Sequence, residues 1–259
     1  MVHAQTGKFN GKVAFVTGGG SGIGRATALA FAQAGASVAV VDISEAALNE
    51  TVQAIASFGG QALGIKADVT KSEDIRAALA QTVEKLGGLD AAFNNAGIEQ
   101  PLNKIVDIPE DVWHRTIGVN LTSVFLGMKY QLEIMLKNGK GGTIVNTSSG
   151  AGVLAIQGQS AYCASKFGVV ALSKAAAIEY AATGIRINAI CPGIIDTPMI
   201  ARYTLDTQEG RARMIAQEPV GRMGRPEEIA STVLWLSSEE SAFMTGHALV
   251  MDGGQTSGI

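Results

Sequence analysis

The chain has little cysteine, no cluster of basic residues and no clear excess of charge of either sign. Its two cysteines, Cys163 and Cys191, cannot make a disulfide framework, which is typical of a protein from a reducing compartment. A formal net charge of -3 without clustered Lys or Arg excludes the electrostatic pattern of a nucleic-acid-binding protein. We therefore expect no nucleic acid among its partners.

The chain also lacks the apolar segments that direct proteins to membranes. Residues 1–8 contain no apolar signal-peptide core, and no uncharged apolar run approaches membrane-spanning length. The histidines His3, His114 and His247 have no metal-like spacing to cysteines or acidic residues, so we expect no catalytic metal. These absences predict a cytoplasmic protein that does not bind membranes.

Glycine and apolar residues are abundant instead. A hydrophobic content of 47% with 32 glycines fits a well-packed globular protein with many tight turns. The predicted strands cover 12–17, 37–42, 61–67, 89–93, 142–147 and 185–190, and the predicted helices cover 25–34, 44–58, 71–86, 111–137 and 161–182. This alternation indicates βαβ units. We predict an α/β fold with one domain over residues 1–259, a Rossmann-type doubly wound parallel sheet of about seven strands flanked by helices, preceded by a loose arm at 1–10.

A glycine-rich turn joins the first predicted strand to the first helix. Its glycines, Gly18, Gly22 and Gly24, depart from the usual Gly-x-Gly-x-x-Gly spacing of dinucleotide-binding folds. A strand, a glycine turn and a helix together place backbone N–H groups and a helix N-terminus against a phosphate. A loop that merely turns the chain is the alternative, and the strand and helix on either side favour phosphate binding.

Asp42 ends the second predicted strand, 18 positions after Gly24. An acidic residue at about this distance contacts the adenosine ribose in dinucleotide-binding folds. The alternative is that Asp42 caps the helix that follows. Because Ser44 is available as the cap, we favour the ribose contact.

Tyr162 and Lys166 lie four residues apart at the start of a predicted helix, so both side chains share one face. A fixed cation favours the phenolate and lowers a phenol pKa from its usual value near 10. Such a phenol can act as a general acid or base toward an alcohol or a carbonyl oxygen. In an arbitrary helix the same spacing is more often a core Tyr and a solvated Lys.

The motifs together, in their order along the chain, resemble the short-chain dehydrogenase/reductase family from about Lys8 to Gly254. The matching elements are Thr17-Gly18-x-x-x-Gly22-x-Gly24, Asp68-Val69, Asn94-Asn95-Ala96-Gly97, Asn120, Ser149, Tyr162-x-x-x-Lys166, Pro192-Gly193, Gly221-Arg222-x-x-x-Pro226-Glu227-Glu228, Thr245-Gly246 and Asp252-Gly253-Gly254. The resemblance implies an NAD(H)-dependent oxidoreductase that interconverts a secondary alcohol and a ketone by hydride transfer.

The resemblance also implies the catalytic roles. Tyr162 is the general acid/base, and Ser149, which lies 13 residues before it, hydrogen-bonds the reacting oxygen. Lys166 binds the nicotinamide ribose and lowers the Tyr162 pKa. Asn120 bends its helix and holds a water that links Lys166 to solvent. Ser148 is then a structural hydroxyl.

Implied cofactor contacts extend along the same edge of the sheet. They are Gly18, Ser21, Gly22, Ile23, Gly24, Asp42, Asp68, Val69, Asn95, Ala96, Gly97, Tyr162, Lys166, Pro192, Gly193, Ile195 and Thr197. Ser21 and Ile43 occupy positions where NADP-using relatives often carry Arg or Lys, so we expect NAD(H). The resemblance further implies a substrate flap at about 196–224.

The expected substrate pocket is mostly apolar, which favours an alicyclic or aliphatic alcohol over a charged one. Its expected walls are Ile98, Ser149, Val153, Leu154, Ile156, Tyr162, Met199 and Tyr203. The helices predicted at 111–137 and 161–182 carry apolar residues on several faces, and in the family these helices pair, so we expect a homotetramer. Two alternatives stay open: an NADPH-dependent 3-oxoacyl-type reductase, and a non-catalytic nucleotide-sensing protein.

Overall fold

The computed structural model describes residues 7–257. It contains one sheet of seven strands, and every pair of neighbouring strands is parallel. The strands are β1 (Val13–Thr17), β2 (Ser37–Asp42), β3 (Ala62–Lys66), β4 (Ala91–Asn94), β5 (Gly142–Thr147), β6 (Ile185–Pro192) and β7 (Ala248–Met251). Their order is β3-β2-β1-β4-β5-β6-β7, so the winding direction reverses between β1 and β4. The predicted doubly wound α/β fold is confirmed.

Helices cover both faces of this sheet. They are α1 (Gly22–Gln33), α2 (Glu45–Ser57), α3 (Ser72–Leu86), α4 (Glu110–Ile117), α5 (Ser123–Asn138), α6 (Ser160–Tyr180), α7 (Pro198–Tyr203), α8 (Gln208–Ile215) and α9 (Pro226–Leu236). Because successive strand residues face opposite sides, Phe15 packs in the cluster with α3, α5 and α6, whereas Val16 packs in the cluster with α1 and α9. The two clusters pack on opposite faces of the sheet and so fix the positions of its strand ends.

The helix predicted at 111–137 is interrupted. A π-helical turn, Gly118–Thr122, lies between α4 and α5 and contains Asn120. The chain stays helical from Glu110 to Asn138, and the π-helical turn divides the predicted long helix at Asn120, the residue at which the resemblance implies a bend. One wider turn at this point lets a polar side chain face the sheet edge, and such turns often occur at functional sites.

The predicted loose arm at 1–10 falls in two parts. Residues 1–6 lie outside the described residues. Phe9 is 5% exposed and packs edge-to-face on Phe31, with ring centroids 5.1 Å apart. Its N–H also donates to the Ala34 carbonyl at 2.9 Å. The expectation of looseness is thus wrong for residues 7–10, because an apolar side chain anchors them to α1.

Within the described residues one helical segment, Ser160–Thr183, is long and apolar enough by composition to cross a membrane. Some 44% of its most apolar window is buried inside the fold, where it packs against β5 and β6. The central helix of a globular protein passes the same test, and the packing of this segment against β5 and β6 makes it part of the core.

Candidate active site

The loops that follow β1, β2, β4, β5 and β6 surround a cavity of about 790 Å³. In parallel sheets ligands bind outside the carboxyl ends of the strands, at the point where the winding reverses. The described fold therefore has a cavity at the edge where ligand binding is expected.

The glycine turn at one end of this cavity needs residues without side chains. Gly18 has φ +63° and Gly22 has φ +51°, values that favour glycine. A Cβ on Gly24 would lie 2.0 Å from the Gly18 carbonyl oxygen. Ser21 is the N-cap of α1 but makes no side-chain cap bond, so it does not cover the first-turn N–H groups. A phosphate fits this combination of a close-packed turn and uncapped amides.

Asp42 lies beside the glycine turn and does not cap α2. Its Oδ2 accepts a hydrogen bond from the Gly20 N–H at 2.9 Å, and its Oδ1 accepts one from the Ser44 N–H at 2.9 Å. The Ser44 hydroxyl itself caps α2 by accepting from the Ala47 N–H at 3.4 Å. The alternative of Asp42 as a helix cap is therefore wrong, and its carboxylate lines the cavity.

Arg25 and Lys66, on neighbouring elements, each form an ion pair with a glutamate. Arg25 donates to Glu50 at 2.6 Å and to the Thr51 hydroxyl at 3.1 Å. Lys66 is the last residue of β3, in register with Asp42, and pairs with Glu45 at 3.3 Å.

Tyr162 and Lys166 lie on one face of α6, as predicted. The Lys166 Nζ is 5.6 Å from the centroid of the Tyr162 ring and donates to the Thr147 carbonyl at 2.9 Å. Ser149 follows β5, and its hydroxyl accepts from the Ala151 N–H at 3.1 Å. Ser148 instead donates to the Lys166 carbonyl, a structural contact in keeping with the sequence interpretation. The side chains of Ser149, Tyr162 and Lys166 thus converge on one cavity.

Burial controls the electrostatics of this group. It raises the pKa of the Tyr162 phenol, and a hydrogen bond with Ser149 opposes that shift only in part. Burial also lowers the pKa of Lys166 from 10.5 to about 8. The expected lowering of the Tyr162 pKa by Lys166 is wrong for this geometry, because the ammonium lies over the ring and desolvation of the phenol dominates.

Asn120 is fully buried in the π-helical turn. Its Oδ1 accepts from the Ile98 N–H at 2.8 Å, and its Nδ2 donates to the Ile98 carbonyl at 3.0 Å. The side chain therefore binds the backbone of the loop after β4 and does not line the cavity. The water link to Lys166 stays a prediction.

Most of the predicted site residues line the cavity. They are Gly18, Ser21, Gly22, Ile23, Asp42, Asp68, Val69, Asn95, Ala96, Gly97, Ile98, Ser149, Ile156, Tyr162, Lys166, Pro192, Gly193, Ile195, Thr197, Met199 and Tyr203. Gly24, Val153 and Leu154 do not. Gly24 packs beneath the glycine turn, and a short 3-10 turn at Gly150–Gly152 brings Ala151 to the cavity in place of Val153. Val153 and Leu154 therefore do not line this cavity, whereas the assignment of Gly24 to cofactor binding stays a prediction.

Sequence reasoning missed several polar wall residues. Glu99, in the loop after β4, forms a bidentate ion pair with Arg202 of α7. The Arg202 Nε and Nη2 donate to the two carboxylate oxygens at 2.9 and 3.2 Å. Gln100 and Gln159 also line the cavity. No local pattern marks them, because their partners lie up to 103 residues away in the sequence.

Comparisons with known proteins agree with this arrangement. A family model described as enoyl-(acyl carrier protein) reductase matches residues 18–256. The chain is 46% identical over 99% of its length to a cyclohexanol dehydrogenase of Acinetobacter sp. (strain SE19), all of which is covered. It is 40% identical to a cis-4-hydroxycyclohexanecarboxylate dehydrogenase of Sinomonas cyclohexanicum, over 96% of this chain and 98% of the relative.

Solved structures give the same picture. The structure of levodione reductase superposes with a TM-score of 0.93 at 38% identity, covering 97% of this chain and 100% of that one. A short-chain type dehydrogenase/reductase from Mycobacterium marinum superposes with a TM-score of 0.91 at 41% identity, covering 96% of both chains.

Proposed function

The chain belongs to the short-chain dehydrogenase/reductase family, and from this premise we propose that it oxidises a ring-borne secondary alcohol to the ketone, and reduces the ketone, with NAD(H). The observation that carries the proposal is the convergence of Ser149, Tyr162 and Lys166 on one cavity beside a glycine turn. A hydroxyl, a phenol and an ammonium are the groups that proton exchange with an alcohol requires.

The nicotinamide cofactor fits the residues at the strand ends. The glycine turn at Gly18–Gly24 would hold the pyrophosphate, Asp42 the adenosine ribose, and Asp68 with Val69 the adenine. The nicotinamide end would lie near Lys166 and Thr197. A bound nicotinamide cofactor would supply the hydride acceptor for oxidation of an alcohol and the hydride donor for reduction of a ketone.

Side chains of the protein transfer the proton to and from the substrate oxygen. Tyr162 takes the hydroxyl proton in oxidation and returns it in reduction, while the Ser149 hydroxyl holds the reacting oxygen beside it. Lys166 would bind the nicotinamide ribose hydroxyls, the other role that the family resemblance implies for it. With a pKa of about 8, Lys166 keeps most of its charge at neutral pH.

A preference for NAD(H) follows from charge. The Asp42 carboxylate can accept hydrogen bonds from a ribose 2′-hydroxyl but repels a 2′-phosphate. Arg25 and Lys66 are paired with Glu50 and Glu45, whose negative charges reduce what the two cations could do to offset the repulsion. Ile43 beside them is apolar and 65% exposed.

The substrate class follows from the other half of the cavity. Ile98, Ile156, Met199 and Tyr203 give it an apolar wall. Relatives that share at least 40% of this sequence are named for oxidation of cyclohexanol and of a hydroxycyclohexane carboxylate. We assign an alicyclic secondary alcohol as the substrate.

We infer that residues 196–224, with α7 and α8, form a flap over the substrate and that the chain is one domain. The Glu99–Arg202 pair would hold this flap to the loop after β4. Localisation in the cytoplasm fits the free, buried Cys163 and Cys191.

A panel of secondary alcohols and ketones tests the function. Cyclohexanol, its ring-substituted analogues, an open-chain alcohol and a 3-oxoacyl thioester are each incubated with NAD(H) or NADP(H), and nicotinamide absorbance is followed. We expect turnover of ring alcohols with NAD. Turnover of the 3-oxoacyl thioester with NADPH alone would overturn the proposal in favour of acyl reduction, and cofactor binding without any turnover would favour nucleotide sensing.

A further inference from the structure

Gln100 is a buried polar residue to which the mechanism above gives no role. It is 1% exposed and lies in the loop after β4. Its Oε1 accepts a hydrogen bond from the backbone N–H of Tyr162 at 2.9 Å. Its Nε2 donates to the Gly158 carbonyl at 3.4 Å. One amide side chain thus contacts the backbone of the residue whose phenol exchanges the proton.

Helix α6 lacks a local group that could make this contact. The first N–H groups of an α-helix have no partner within the helix, and the N-cap side chain usually satisfies one of them. Gln159, the N-cap of α6, makes no side-chain cap bond. Tyr162 lies in the first turn, and Gln100 supplies the missing acceptor from 62 residues away.

The two residues that precede Gln100 are each held by another element. Asn120 holds the N–H and the carbonyl of Ile98. Arg202 of α7 holds the Glu99 carboxylate. The amide oxygen of Gln100 therefore approaches α6 from a segment with little freedom to shift.

We propose that Gln100 is a positioning residue that sets where the Tyr162 phenol stands relative to Ser149 and the substrate oxygen. It does not touch the reacting atoms. It fixes the first turn of α6, and the phenol moves with that turn. A misplacement of about 1 Å in an active site can cost about 10²-fold in rate. The catalytic part of this inference rests on the proposed function, whereas the contact with α6 does not.

Two substitutions of Gln100 distinguish the effect of losing the hydrogen-bond acceptor from the effect of changing the shape of the side chain. Gln100→Met keeps an unbranched chain of similar length but removes the amide oxygen. Gln100→Glu keeps an oxygen that can accept from the Tyr162 N–H. We expect kcat of the Met variant to fall about tenfold or more, with the Kd for NADH unchanged, and the Glu variant to recover most of the loss.

Gln131→Met is the matched control. Gln131 is also fully buried and exchanges two hydrogen bonds with Asn94, but it does not line the cavity. We expect this variant to lose thermal stability and to keep its kcat. An equal loss of kcat in the control and in Gln100→Met would overturn the proposal, since destabilisation alone would then explain both.

Hydrogen exchange tests the contact independently of any substrate. The amide of Tyr162 should exchange faster in Gln100→Met than in the wild type and in Gln100→Glu. If the wild type turns over none of the alcohols but this pattern is seen, the proposed function fails while the contact stands. Unchanged exchange at Tyr162, or unchanged kcat in an active Gln100→Met enzyme, contradicts the positioning role.

Discussion

At the scale of single residues, the Asp42 carboxylate is fixed before a cofactor binds, because the Gly20 and Ser44 N–H groups hold both of its oxygens. We expect Asp42→Ala combined with Ile43→Arg to shift preference from NAD toward NADP. Hydrogen bonds to a charged group contribute about 1.5–3 kcal/mol, and removal of the anion also relieves repulsion of a 2′-phosphate.

The ratio of kcat/KM for the two cofactors measures this shift. Ile43→Arg alone is the control, because it adds the cation and keeps the carboxylate. An unchanged ratio in the double variant would show that Asp42 does not contact the ribose.

Lys166 gives a second prediction at this scale, about pH. Its pKa is 10.5 in the unfolded chain and about 8 in the fold, where burial disfavours the charge. Between these values the unfolded state binds more protons, so the free energy of unfolding rises with pH across this window. Relative to Lys166→Met, the wild type should gain about 3 kcal/mol. Urea unfolding at several pH values checks this, and parallel curves for the two proteins would refute it.

Residues whose partners are close in sequence could be predicted, and those with distant partners could not. The spacing of Tyr162 and Lys166 fixes a shared helix face, so the sequence alone predicts their alignment. Gln100 contacts Tyr162 only because the loop after β4 lies beside the first turn of α6 in the folded protein. The pKa of Tyr162 depends on burial by the whole cavity, and the pattern of charges alone predicted the wrong direction.

At the scale of elements, the π-helical turn between α4 and α5 decides where the loop after β4 lies. Asn120→Ala should leave the Ile98 N–H and carbonyl without partners, and an unsatisfied buried group costs about 1–3 kcal/mol. We expect lower stability together with a clear loss of kcat, because Gln100 shifts with the loop.

Asn188→Ala is the matched comparison. Asn188 is also buried, and its side chain makes two hydrogen bonds, to the Met244 carbonyl and from the His247 N–H. It lies outside the cavity. It should lose stability and keep its kcat. If Asn120→Ala retained the wild-type kcat at a temperature where it stays folded, the turn would have no role in positioning.

The elements themselves were predictable to different degrees. Alternating apolar strands and amphipathic helices located six of the seven strands and the main helices. The resemblance implied an irregularity at Asn120, but the apolar pattern of 111–137 does not show that it is a π-helical turn, since one wider turn leaves that pattern almost unchanged. Strand β7 is short and only partly buried, so its apolar signal is weak.

At the scale of the whole molecule, apolar side chains stay exposed on α5 and α6. Phe125 is 47% exposed, Phe167 44% and Ile178 82%. Exposed apolar surface of this kind marks interfaces. We expect a homotetramer in which these helices pair, with a mass four times the 26.7 kDa of the chain. Light scattering at micromolar concentration measures the mass, Phe125→Glu should reduce it, and a stable monomeric wild type would refute the prediction.

Oxidation of cyclohexanol with NAD by the wild type and by Tyr162→Phe tests the central claim most directly. The substitution removes only the phenol oxygen, and general acid–base catalysis contributes about 10²–10⁴ in rate. Tyr180→Phe, on the same helix and outside the cavity, is the control. We predict that the turnover of Tyr162→Phe falls by that factor while its affinity for NADH stays that of the wild type. Tyr180→Phe should keep the turnover of the wild type. A rate for Tyr162→Phe near that of the wild type would contradict the assignment of Tyr162 as the general acid/base.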